Sequence, residues 1–118
     1  MKVVDKQTFF ELPSGTIYSK GKAWYFSDFL IKGNTIYNEG LPIDWFYLYT
    51  NWPEDDKAFE SLEKALITGE SFKANRLFGR DGLYDPDDLF LIYEKDDLDD
   101  LLEHIENGIN LKEIKLEQ

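Results

Sequence analysis

The chain has 118 residues and no cysteine, and 42% of its residues are apolar; at that length a single domain buries roughly two-thirds of its unfolded surface, while disulfide stapling and thiolate chemistry are excluded. Twenty-four acidic against 13 basic side chains give a net charge of −11, and an aromatic share of 16% argues for a folded core rather than disorder. A field this negative repels nucleic acid and anionic lipid, and attracts basic protein surfaces or metal cations.

In chain order, Asp5 is placed to N-cap a short helix over residues 6 to 12, with Val4 and Phe9 in the two positions of a hydrophobic staple and Pro13 as the stop. The stretch TIYSK reads as a strand, followed by a turn at residues 20 to 22 and a longer strand over AWYFSDFLI. Lys32, Gly33 and Asn34 read as the next turn, with further strands at 35 to 38 and 43 to 50. The aromatic run DWFYLYT in the last of these predicts burial on both faces. Asp55 or Asp56 then caps a helix with Phe59, Leu62, Ala65 and Leu66 on one face, and Gly69 ends it. Residues 70 to 88 form a long connection, LFLIY at 89 to 93 is a strand, and Leu98, Leu101, Leu102 and Ile105 share one face of a final helix from about 98 to 107, closed by Gly108. The tail from 109 to 118 reads as an edge strand or a frayed end. The expected fold is a single α+β domain: an antiparallel meander of about four or five strands packed against two main helices, plus the short N-terminal one.

The charge is not spread evenly. Residues 1 to 50 carry five acids and five bases, 51 to 80 carry six and five, and 81 to 118 carry thirteen and three. The final helix concentrates this surplus, with Asp96, Asp99, Asp100, Glu103 and Glu106 recurring every three or four residues opposite the leucines. Their axial separation, about 5 to 6 Å at a rise of about 1.5 Å per residue, is comparable with the phosphate step along one nucleic-acid strand. Like charges at this spacing destabilise a helix by a few tenths of a kcal/mol per pair, and the N-terminal dipole offsets that only in the first turn. A solvated face kept soluble by charge accounts for the same stripe. The concentration points instead to recognition: Asp87, Asp88, Asp96, Asp99, Asp100, Glu103 and Glu106 supply electrostatics for a basic protein partner, and Tyr84 supplies an aromatic anchor.

Other chemistry finds little support. His104 is the single histidine, set in the helix without a serine or cysteine nucleophile beside it. Nucleotide-binding glycine motifs and zinc spacings are missing, so no catalytic residue, cofactor or metal ligand is assigned. Trp24, Trp45 and Trp52 beside paired carboxylates suit a sugar platform only in the sense that any acid-rich chain does. Asp81, Asp85, Asp87 and Asp88 invite a calcium site, but counting an EF-hand loop from Asp85 puts Phe90 where glycine is required; capping of turns is the plainer role. A second reading is a binder of nucleotides or other small ligands through Lys73, Arg76 and Arg80, and a third is a metal-dependent hydrolase using the loop aspartates.

The stretches LPSGTIYSK at 12 to 20, FLIKG at 29 to 33 and GRDGLYDPDDLFLIYEKDDLDDLL at 79 to 102 resemble small proteins found in phages and prophages. The resemblance implies a viral or prophage product acting inside a bacterium, and it assigns no site residues. With no secretory leader and no stretch of roughly 18 apolar residues, the expected location is the cytoplasm, that of the host for a phage-encoded protein. The function expected on these grounds is non-catalytic: docking on a basic, nucleic-acid-handling or defence-related host protein and inhibiting it by imitating nucleic acid, with no direct binding to nucleic acid or membrane.

Overall fold

The computed structural model describes residues 1–22, 25–50, 58–72, 78–82 and 85–109. Among them the order is β1 (Lys2–Asp5), α1 (Lys6–Phe10), β2 (Ile17–Lys22), β3 (Tyr25–Phe26), β4 (Leu30–Asn38), β5 (Leu41–Tyr49), α2 (Ala58–Thr68), β6 (Gly79–Arg80), β7 (Leu89–Ile92) and α3 (Lys95–Ile109). The fold is α+β, with three helices and an antiparallel sheet of seven strands among the described residues, a sheet larger than the sequence suggests. Strand order is β1-β7-β2-β4-β5-β6, with β3 on the end of β2. The meander therefore holds for β2, β4 and β5, while β7, the apolar run LFLI, inserts between β1 and β2 and pairs with both.

Capping at the N-terminus follows the sequence. Asp5 Oδ1 accepts from Thr8 N–H at 2.8 Å, Val4 packs against the core and Phe9 is buried in it. This five-residue helix is what covers the sheet. The Phe9 ring stacks on Phe90 with centroids 4.0 Å apart and meets Trp45 edge-on at 5.1 Å. Phe10, Tyr18, Leu30 and Ile92 complete the buried cluster. Trp45 Nε1 donates to the Tyr18 hydroxyl at 2.8 Å, so the core's polar atoms are paired with each other.

Several expectations are overturned. The expected turn at residues 20 to 22 is strand, since Gly21 and Lys22 pair with β3. AWYFSDFLI is not one strand: β3 ends at Phe26 and β4 begins at Leu30. Lys32, Gly33 and Asn34 lie inside β4, whose register against β5 slips between Lys32 and Thr35. Two residues there face one, Phe46, as in a β-bulge. A Cβ on Gly33 would lie 2.9 Å from both Phe46 Cβ and Phe78 Cδ1, so glycine is required by close packing and not by a turn. The true reversal is Glu39-Gly40, with φ of 51° and 78°, the positive pair that a two-residue type I′ hairpin needs. β5 is covered on both faces at its middle, where the successive residues Asp44 and Trp45 are both fully buried, whereas Phe46 beyond them is 38% exposed.

The two longer helices do not cover the core as expected. Gly69 closes α2 with φ of 72° and its N–H on Ala65 C=O at 2.8 Å, yet Leu66 and Ile67 are 86% and 78% exposed. α3 runs three residues earlier than expected and through Gly108.

Asp44, inside β5, is fully buried. Its carboxylate takes Arg80 Nε and the backbone N–H groups of Trp45 and Gly82, tying residues 79–82 to the hairpin. Arg80→Ala leaves this carboxylate buried without its cation and is expected to cost about 3 kcal/mol. Asp44→Asn keeps an acceptor oxygen for the backbone donors and is expected to cost about 1 to 2 kcal/mol. Urea midpoints of the two variants check the order.

Candidate protein-docking surface

α3 leaves β7 after two residues and is built to start there. Asp97 Oδ2 accepts from Glu94 N–H at 2.8 Å, the side-chain-to-cap half of a capping box, and Asp96 and Asp97 sit in the first turn where the helix dipole favours anions. Lys95 bridges to Asp99 at 2.6 Å, one turn along. The N-terminal amine of Met1 lies 2.9 Å from Asp97 and 3.2 Å from Glu94, pinning the start of the helix to the start of β1.

From Glu94 to Ile109 there are seven carboxylates and one lysine. Asp96, Asp99, Asp100, Glu103 and Glu106 are all exposed, and they share one side of the helix as their spacing predicts. His104 Nδ1 lies 2.8 Å from the Asp100 carbonyl and 3.7 Å from its carboxylate. The carbonyl contact, then the neighbouring charge of Asp100, raises the imidazole above its usual value, so the stripe's one histidine gains positive charge on mild acidification. On the other side, Leu98 and Leu101 are partly covered, while Leu102 and Ile105 are 53% and 50% exposed.

The loop acids behave differently. Asp81 pairs with Lys20 at 3.3 Å, and Lys22 reaches Asp85 at 2.6 Å and Asp88 at 3.3 Å. Asp88 is only 7% exposed, a buried carboxylate held by a lysine of the same chain. Asp85 also accepts from Asp87 N–H at 3.0 Å, the local turn that short acidic side chains make. Asp87 itself is exposed. The acidic block thus divides into a loop whose acids are held by Lys20 and Lys22 and a helix whose seven carboxylates outnumber the cations beside them.

This division has a pH signature. The Lys22 ammonium, more than the Asp87 N–H, holds the Asp85 carboxyl below the usual carboxylate range, and Asp85 in turn raises Lys22. A depressed carboxylate stabilises the fold at pH values above its unfolded value, about 3.9, and that contribution is lost as pH falls through the lower folded value. Lys22→Gln is therefore expected to lower Tm at pH 7, with the gap to the parent protein closing in strong acid. Thermal scans from pH 7 to 2 measure it.

Of the remaining sequence candidates, Tyr84, Lys73, Arg76, Trp24 and Trp52 lie outside the described residues. Arg80, offered for ligand binding, is committed to Asp44, and Trp45 is core. Among the described residues no three histidine, aspartate or glutamate side chains group to hold a metal ion, and no helix is long and apolar enough to cross a membrane. The exposed apolar ridge of α3 is not legible in the sequence, because periodicity says which residues share a face, not whether anything covers it. Comparisons with known protein families, with curated proteins and with solved structures found no match to this chain.

Proposed function

We propose that this is a non-catalytic acidic binding protein that presents α3 to a basic surface of a nucleic-acid-handling or defence protein and blocks it. The phage-like sequence stretches suggest the cytoplasm of a bacterial host as the setting. One observation carries the reading: seven carboxylates against one lysine over residues 94 to 109, on a helix whose acidic side is open to solvent. The regular repeat of these acids supports imitation of a phosphate backbone, and their common sign steers a basic partner toward the helix. The rival readings lose residues to the fold. Arg80 is occupied by Asp44, and Asp81, Asp85 and Asp88 are turned toward lysines, an arrangement poorly suited to anion capture or to metal-assisted hydrolysis.

The test is competition. Proteins retained from a bacterial lysate on immobilised duplex DNA are titrated with the acidic protein while release of fluorescent DNA is followed. Displacement at 0.1 M salt that weakens sharply above about 0.3 M supports the proposal, because the screening length falls from about 10 Å toward 3 Å over that range and beyond. Failure to displace DNA at low salt contradicts it.

A further inference from the structure

The geometry points to α3 docking as a groove-bound helix: we propose that its apolar ridge, Leu98, Leu101, Leu102 and Ile105, seats in an apolar trough of the partner whose rim carries lysine and arginine. This rests on the docking reading above and adds the chemistry of the surface that receives the helix. The four ridge residues stand at i, i+3, i+4 and i+7, the spacing by which an amphipathic helix fills a groove on another protein. Leu102 and Ile105 keep about half of their surface open although they are large apolar groups on a regular helix. Asp99 and Glu106 lie one turn to either side of Leu102, so carboxylates border the ridge along its length.

Charge selects the occupant. A second copy of this chain would bring a like-charged stripe against residues 94 to 109, with net charge −11 on each molecule, whereas a basic rim is complementary to it. α2 offers the contrast. It exposes Leu66 and Ile67 still more, but among Glu60, Glu63 and Lys64 it carries both signs and gives no such preference. A phosphate-reading surface that is basic and polar throughout matches the acids and leaves the ridge wet. A trough with an apolar floor matches both faces.

Two synthetic helical peptides of equal charge test this, one alternating lysine with leucine in an amphipathic pattern and one with serine in place of leucine. Their affinities for the protein are read by fluorescence anisotropy at 0.3 M salt. The lysine-leucine peptide is expected to bind at least about tenfold tighter, the yield of burying two half-open aliphatic side chains. Leu102→Ser with Ile105→Ser is expected to bring the two peptides to parity, while Leu66→Ser with Ile67→Ser leaves the gap intact. Equal affinity in the parent protein, or a gap that survives the α3 substitutions, overturns the inference while leaving electrostatic docking standing. If neither peptide binds even at 0.05 M salt, both proposals fall.

Discussion

Phe9→Ala is expected to lower the unfolding free energy by about 3 to 5 kcal/mol, the range for truncating a fully buried aromatic. Phe9 has no exposed surface and joins the two layers of the molecule: α1 has no other ring in contact with Phe90, Tyr18 and Trp45 together. Its removal leaves a hole bordered by three rings on a sheet that cannot collapse inward, because β2, β4 and β7 are fixed by their ladders. Against a total stability of about 5 to 15 kcal/mol for a domain, the loss is decisive. Thermal unfolding is expected to show a fall in Tm of at least about 10 °C. Phe10→Ala is a useful partner experiment, since among the described rings Phe10 touches only Trp45, and it is slightly exposed; a smaller fall is expected there.

Converting Asp96, Asp99, Asp100, Glu103 and Glu106 together to asparagine or glutamine is expected to slow association with a basic partner by at least about tenfold, the lower end of what electrostatic steering supplies. The same variant is expected to keep its Tm or gain slightly. Glu103 and Glu106 lie beyond the reach of the N-terminal dipole, so removing their mutual repulsion, and that with Asp99 and Asp100, favours the helix. Asp96 loses a favourable dipole contact and Asp99 its bridge to Lys95, losses of a few tenths of a kcal/mol each that the relieved repulsion offsets. A surface that costs stability and contributes only to association is the pattern of a binding face, and stopped-flow association set beside thermal unfolding separates the two quantities.

Local signals were legible where the deciding contacts are local. The Asp5 cap with its Val4 and Phe9 staple, the Gly69 stop, the LFLI strand and the face of α3 all depend on neighbours within a turn or two. What escaped depends on partners far along the chain. KVVD becomes β1 only because β7, almost ninety residues later, offers it an edge. Lys32-Gly33-Asn34 reads as a turn by composition, yet Gly15 N–H takes the Lys32 carbonyl at 2.7 Å and Phe46 and Phe78 close over Gly33, keeping the strand running. Asp44 lies in the strand that the sequence predicts, but its burial beneath Arg80 depends on a residue 36 positions away. The acidic third of the chain is legible from its charges but its division is not: Lys20 and Lys22, on one face of β2, hold loop aspartates some sixty residues away, whereas the helix acids outnumber the cations beside them.

For docking, the placement of negative charge matters, and not its total. Two variants of identical net charge test it: one with the five α3 acids converted to amides, the other with the exposed acids Glu11, Glu39, Glu60, Glu63 and Glu70 converted to glutamine, each moving from −11 by five charges to −6. In the DNA-displacement titration the first is expected to need at least about ten times more protein for half-release, and the second to stay within about twofold of the parent, since fields from distant exposed charges are screened beyond about 10 Å. Equal weakening of both would show that the acids act as bulk charge, and would contradict the assignment of α3 as the docking surface.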